Sequence, residues 1–351
     1  MKRVYVVTFC TYKSIGSILQ SYALTKTLKE LGNESTVLIQ EQKKSSKKKV
    51  GFSLKRLIKN AYKIFLNKKT TVSRKKRLSF MSENINIERF QRYEELEKKA
   101  KENENDIYLA GSDQIWNPDL CNPAFFLDFA KNNTCISYAA SMGKTVVSPE
   151  KAEVFGNLIQ NFQRISVRER DCVDAIRAFT DKDIDVHIDP TFLIKPDIWK
   201  KMEKSRDINE PFILLYMIYW DKSCKDKIIE LKKRTGLPVY AICNELSRVY
   251  ADKYLYDVGV EEFLWLFDHA EYVVTSSFHG VAFSIIFQKK FSAVINPRLP
   301  SRINNIMNVL SVPLVEIDEL DRTESFKYDS IAQKIEAERQ RSIDYLKEAI
   351  G

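Results

Sequence analysis

The residue types that could do chemistry gather where short β-branched runs give way to small and polar side chains. These places are Gly16, residues 111–114 (GSDQ), 138–143 (YAASMG), 166–170 (SVRER) and 276–280 (SSFHG), and four of the ten glycines lie in them. Glycine lets backbone N–H groups approach an anion, and a helix N-terminus adds partial positive charge. The richest stretch is 275–287 (TSSFHGVAFSIIF). Its N–H groups and the hydroxyls of Ser276 and Ser277 are suited to a phosphate, and His279 can give or take a proton near neutral pH. The same residues also read as a capped helix start with a structural histidine. Arg168 ends the run ISVR and can clamp a carboxylate or phosphate through two parallel hydrogen bonds. Its competing reading is an ion pair with Glu169 or another acid, and Arg170 is the alternative clamp. Asp113 suits a base or a binder of sugar hydroxyls, or equally a helix N-cap or turn residue. Trp116 can stack on a sugar or pack inside. His187 and His269 read as structural.

The elements that must position these groups alternate. Strands are expected at 3–9, 35–40, 106–110, 134–140, 165–168 and 184–188, with helices at 17–31, 88–104, 148–162 and 171–179. A second series follows residue 209: strands at 212–219, 238–243, 272–275 and 291–295, helices at 222–235, 261–269, 281–287 and 302–310. A last helix covers 330–349. This pattern predicts an α/β protein of two Rossmann-like doubly wound domains, 1–195 (with a basic helical insert at 43–104) and 205–328, closed by a C-terminal helix at 329–351. Ligands of such folds collect beyond the carboxyl ends of the strands, here in the gap between domains.

Composition narrows the function. The 351 residues are 44% hydrophobic and 29% charged, ordinary for a soluble globular protein. No run of about 18 apolar residues suggests a membrane span, and the N-terminus reads as a strand rather than a signal peptide. The six cysteines form no CxxC pair, and they are expected as reduced thiols in a cytoplasm. No GxSxG, P-loop, GxGxxG or HExxH pattern occurs, which argues against hydrolases, NTPases, common dehydrogenases and zinc proteases. No metal or other cofactor is expected. The net charge of +9 is uneven: residues 43–77 hold 15 Lys or Arg and no acid, leaving 41 basic against 47 acidic residues elsewhere. That confinement argues against nucleic acid. The segment reads either as an amphipathic helix lying on an anionic membrane or as a solvated surface helix, and the charge pattern favours the membrane or another anionic partner.

Seven segments in order resemble the polysaccharide pyruvyl transferase family: 14–32 (SIGSILQSYALTKTLKELG), 108–118 (YLAGSDQIWNP), 125–129 (FFLDF), 136–143 (ISYAASMG), 165–170 (ISVRER), 188–193 (IDPTFL) and 272–291 (YVVTSSFHGVAFSIIFQKKF). The resemblance implies a GT-B-like arrangement of the two domains. It also implies transfer of a pyruvyl group from phosphoenolpyruvate to a sugar of a cell-surface polysaccharide or its lipid-linked precursor, forming a ketal. Under it His279 is the general acid or phosphate ligand, Arg168 the anion clamp, and Asp113 a base or hydroxyl binder. The donor site would include Arg168, Ser276, Ser277, His279, Gly280, Ser141 and Arg302, and the acceptor site Gly16, Gln20, Gly111, Ser112, Gln114 and Trp116. Some branches of the family carry Arg where this chain has Ser277, and Arg302 or Arg298 is expected to replace it. The enzyme would be cytoplasmic and peripheral on the inner membrane face, docked through 43–77. The competing reading is a GT-B-type glycosyltransferase using a nucleotide sugar, with Glu261 or Glu262 as its nucleotide-binding acid. A silent binding protein of the same fold is a third.

Overall fold

A computed structural model of the chain describes residues 2–40, 70–243, 249–297 and 300–351. The first domain centres on five parallel strands, β1 (Arg3–Val7), β2 (Glu34–Gln40), β3 (Ile87–Phe90), β4 (Ile107–Ala110) and β5 (Thr134–Ser137), in the order β3-β2-β1-β4-β5. Two further strands, β6 (Ile165–Val167) and β7 (Ile184–Val186), pair in parallel. Bridges Ile136↔Arg164 and Ala140↔Val167 join them to the β5 edge. IYLA in β4 is buried throughout, the near-continuous apolar run expected of a strand covered on both faces. The α1 helix (Ile15–Glu30) starts where Ser14 Oγ accepts from Ser17 N at 3.2 Å, and Gly32 follows its end at φ +83°.

The second domain repeats the plan with β8 (Ile213–Tyr216), β9 (Val239–Ile242), β10 (Lys253–Leu255), β11 (Tyr272–Thr275) and β12 (Lys290–Ala293), ordered β10-β9-β8-β11-β12 and parallel. In each sheet the order reverses beside the first strand. The loops after β1, β4, β8 and β11 therefore open at the switch point, where doubly wound sheets bind ligands.

The stretch expected as a helical insert, 43–104, is not helical throughout its described part. Where a helix is expected at 88–104, IERF pairs with β2 from Val37↔Ile87 to Gln40↔Phe90 as β3, and Tyr93–Glu102 forms the helix, α3. Residues 41–69, most of the basic segment, lie outside the described residues. Its last part enters a helix at 70–84 (α2) that packs Phe80 and Met81 into the core. There Arg77 Nε donates to Val258 O at 3.2 Å and Nη1 to Tyr12 O at 3.2 Å, while Lys76 pairs with Glu262. These two cations are engaged within the protein rather than offered to a membrane.

One apolar cluster runs through both domains, from Val4, Ile18 and Leu24 to Phe263, Phe283 and Leu310. The last helix, α11 (Tyr328–Ile350), spans them. Tyr328 Oη donates to Lys289 O in the second domain, and Tyr345 Oη to Ser137 O (2.8 Å) in the first. Among the described residues, no helix is long and apolar enough to cross a membrane.

Candidate active site in the gap between the domains

Arg168 leaves the end of β6 with its N–H on Ala140 O (3.0 Å) and its side chain buried. Nε donates to Glu169 Oε1 at 2.9 Å and Nη1 to Asp189 Oδ2 at 2.7 Å, while Nη2 is buried with no partner. The guanidinium lies 4.0 Å over the Phe278 ring, so a residue of the second domain covers it. The ion-pair reading of Arg168 holds, and its Nη2 is left without a partner. Arg170 is exposed, with only its backbone N–H tied to Asn305 Oδ1 (3.0 Å), so the inward position belongs to Arg168.

Asp189 is the site residue that the motif reading left without a role. Its Oδ1 accepts from Thr191 N (3.1 Å) and Oγ1 (2.8 Å). Its Oδ2 takes Arg168 and Ser112 Oγ (3.1 Å), and lies 4.0 Å from His279 Nε2. Burial alone would raise its pKa. Its electrostatic contacts with His279 and Arg168 and the Thr191 hydrogen bond outweigh that and hold it below the usual carboxylate value. The signal in the sequence was an Asp-Pro closing a strand, which reads as an ordinary turn.

His279 lies in the first turn of α9 (Phe278–Ile286), buried, with Nε2 unpartnered. Its ring rests on Gly16 of α1: a Cβ there would sit 2.1 Å from Nδ1. Only glycine allows this approach across the gap. Burial lowers the imidazole pKa, and Arg168 and Arg302 push the same way against Asp189 and Asp113. Arg302, in the first turn of α10 (Ser301–Leu310), has a buried Nε without a partner. Its pKa is lowered by burial first and by Arg168 next.

Asp113 holds φ +76° and ψ 178°, a backbone region nearly confined to glycine. Its Oδ1 caps Gln114 N at 2.8 Å, as the turn reading required. Its charge also favours the protonated forms of Arg168, His279 and Arg302. Asp113, Glu169 and Asp189 outnumber the two arginines, so the site is no simple cationic hole. It leaves nitrogens from both domains without partners, Arg168 Nη2, His279 Nε2 and Arg302 Nε, together with one carboxylate oxygen, Glu169 Oε2. Such a set can hold a compact anion that brings protons with it.

Several expected site residues make interior contacts. Trp116 is buried, stacked on Phe126 at 5.6 Å with Nε1 on Phe125 O (3.2 Å), because its 3₁₀ turn points inward. Gln20 Nε2 ties α1 to Thr8 Oγ1 (3.1 Å) and Phe9 O (2.9 Å). Gly111 packs against Thr8, Val6 and Leu24, and Ser112 is buried under Asp189. All four are buried, and Gln20 Oε1 has no partner. Ser141 Oγ donates to Glu169 Oε1 (2.9 Å), one step behind Arg168. Ser276 Oγ organises the loop after β8, accepting from Ile218 N (2.9 Å) and Tyr219 N (2.8 Å). Gly280 fits against Thr275 Oγ1, and Ser277 opens α9 without a side-chain cap. Gln114 remains open, its Nε2 buried without a partner against Gly143. Arg298 lies outside the described residues. Glu262, offered as a nucleotide-binding acid, is occupied by Gly259 N (2.9 Å) and Lys76.

A cleft of about 980 Å³ adjoins the cluster, with residues 143–146 and Arg170, Asp171 and Asp174 on one side and the first two turns of α10 on the other. The six cysteines are buried and unpaired, and burial pushes the Cys10 thiol up to about 11, so it is no ready nucleophile. Among the described residues Glu203, Asp268 and His269 bring ligand atoms within 4.8 Å of one another. They lie about the end of the α8 helix (Val260–His269) that precedes β11, at the opposite end of the sheet from His279.

A family model described as polysaccharide pyruvyl transferase matches residues 15–297. No curated protein matches the chain in sequence. Among solved structures, the chain is similar to the UDP-GlcNAc 2-epimerase from Neisseria meningitidis bound to UDP-GlcNAc, at TM-score 0.55 and 13% identity over 97% of this chain and 94% of that one. It is also similar to the UDP-GlcNAc 2-epimerase from Methanocaldococcus jannaschii (TM-score 0.54, 12% identity, 96% and 92% covered). A third is Arabidopsis thaliana UGT89C1 complexed with quercetin (TM-score 0.54, 10% identity, 99% of each). At these identities the likeness is one of fold, the GT-B arrangement of two parallel α/β domains.

Proposed function

Because the chain belongs to the polysaccharide pyruvyl transferase family, we propose that it moves the pyruvyl group of phosphoenolpyruvate onto a sugar of a cell-surface polysaccharide or its lipid-linked precursor, forming a ketal and releasing phosphate. The observation that carries this reading is the convergence of Arg168 Nη2, His279 Nε2 and Arg302 Nε, buried and unpartnered, from both domains. The donor bears a carboxylate and a phosphate, and each needs directed N–H groups once water is stripped away.

Arg168 clamps one anionic group of the donor, with its orientation fixed by Glu169 and Asp189. Arg302 stands in for the cation missing at Ser277. His279 is uncharged in the empty site at neutral pH, since its pKa is lowered. The arriving anion raises that pKa and the ring takes up a proton. It then delivers this proton to the methylene carbon, giving an oxocarbenium-like C2. A sugar hydroxyl adds there, and its proton returns to His279 or passes to Asp113. Phosphate leaves with the electron pair of its C–O bond. The second hydroxyl closes the ketal, and its proton goes to the departing phosphate. Holding donor and diol together in one gap supplies much of the rate.

The protein would work on the cytoplasmic face of the membrane, docked through its basic segment. Flotation with anionic vesicles tests this part, and equal binding after deletion of 43–69 would end it. The reaction itself is tested by supplying phosphoenolpyruvate with candidate lipid-linked glycans and following acceptor-dependent phosphate release and the mass of a pyruvyl ketal. Thermal stabilisation by UDP but not by phosphoenolpyruvate would refute the reading in favour of a nucleotide sugar.

A further inference from the structure

We propose that the cleft beside the buried cluster is the acceptor subsite, and that it takes an uncharged, hydroxyl-rich pyranose held by Asn304 and Asn308. The assignment rests on the pyruvyl-transfer reading and moves the acceptor away from most of the residues expected from sequence. At about 980 Å³ the cleft is at the upper end of the ~300–1,000 Å³ typical of small-ligand sites.

The chemistry of its walls differs from that of the donor cluster. Lys144 and Arg170 are balanced by Asp171 and Asp174, and Lys144 is already paired with Asp119. A nucleotide diphosphate would be poorly served by such a wall. Asn304 and Asn308 stand one turn apart on α10, so their side chains share a face. Both are exposed, and neither side chain makes a hydrogen bond among the described residues. A carboxamide both donates and accepts, which matches vicinal hydroxyls. Two buried polar atoms also wait at the cleft without partners. Ser301 Oγ belongs to a residue of its wall, and Gln114 Nε2 lies against Gly143, another wall residue.

The cleft is also in register with the chemistry. Asn305, between the two free amides, accepts from Arg170 N (3.0 Å) and donates to Arg168 O (3.0 Å). Arg302 lies one turn earlier on the same helix. A sugar bound by Asn304 and Asn308 is thus carried on the element that holds both arginines in place.

The test uses the full chain, phosphoenolpyruvate, and methyl hexopyranosides of gluco, galacto and manno configuration as probes, followed by saturation-transfer NMR. Wild type should show transfer to at least one glycoside. The N304L/N308L double variant should weaken that binding at least tenfold while its thermal shift with phosphoenolpyruvate stays that of wild type. An Asn304→Gln, Asn308→Gln variant should recover part of the binding, which a folding defect would not. Transfer to no glycoside in wild type, equal transfer in the leucine variant, or competition by UDP overturns the subsite. Glycoside binding without any stabilisation by phosphoenolpyruvate counts against the donor reading and leaves the sugar subsite standing.

Discussion

On the first domain's side of the gap, Arg168 has carboxylate oxygens at 2.9 and 2.7 Å, from Glu169 and Asp189. Serine hydroxyls from Ser141 and Ser112 brace those carboxylates in turn. On the second domain's side, Arg302 Nε and His279 Nε2 are buried without hydrogen bonds, and the nearest acid to His279 is 4.0 Å away. One wall is largely closed, with Arg168 Nη2 and Glu169 Oε2 its unpartnered atoms, and the other is open. A buried charge stripped of its partner is costly, so the closed wall holds its own shape. The open wall keeps groups whose protonated forms are disfavoured until an anion arrives, which is the usual mark of a binding or catalytic site.

The largest way to break this contrast is Arg168→Ala. It leaves Glu169 and Asp189 buried and unpaired, so urea unfolding should show a loss of ~3–5 kcal/mol, and phosphate release should vanish. Unchanged stability would mean that the first wall is not an interdependent network. His279→Gln comes next. Turnover should fall ~10²–10⁴-fold, the span of general acid catalysis, with a melting temperature near that of wild type. A variant that melts early but still turns over would make the histidine structural. Arg302→Met sharpens the comparison from the open side. Binding of phosphoenolpyruvate should weaken ~10–100-fold in calorimetry, since a hydrogen bond to a charged group contributes about 1.5–3 kcal/mol. Stability of the empty protein should hold or rise, and a clear loss would place Arg302 in the fold rather than the site.

The smallest effect is in pH. The folded pKa of His279 lies below its unfolded value of about 6.5, so the empty protein loses stability as pH falls below that value. Donor binding has the opposite sign, because it takes up the proton. Affinity for phosphoenolpyruvate should therefore weaken as pH rises past neutrality, by at most about tenfold per unit. Calorimetry in two buffers of different ionisation enthalpy measures the uptake, and the slope should disappear in His279→Gln. A pH-independent affinity in wild type would contradict the proposed proton.

Alternation along the chain was enough to place Arg168, Asp113 and His279 at strand ends, because parallel strands buried on both faces leave an unmistakable apolar run. It was not enough to orient the side chains around them. Trp116 and Gln20 have the composition of a sugar site, but a 3₁₀ turn and a helix face aim them inward. Asp189 escaped notice because a strand-ending Asp-Pro is common, and its value lies in meeting residues 21 and 90 positions away. IERF reads as helix from its charges but forms the edge strand β3, where one side is open to water and register with β2 decides. The three residues of β10, KYL, are too short and too exposed to leave a pattern.

The helix that ends the chain has a mechanical consequence. Its 23 residues amount to a rod of about 34 Å, anchored on the backbone of Lys289 at one end and of Ser137 at the other. With the apolar interior continuous beneath it, the rod resists wide jaw-like opening. Widening the gap would cost the hydrogen bonds at both ends of this rod and the apolar contacts beneath it.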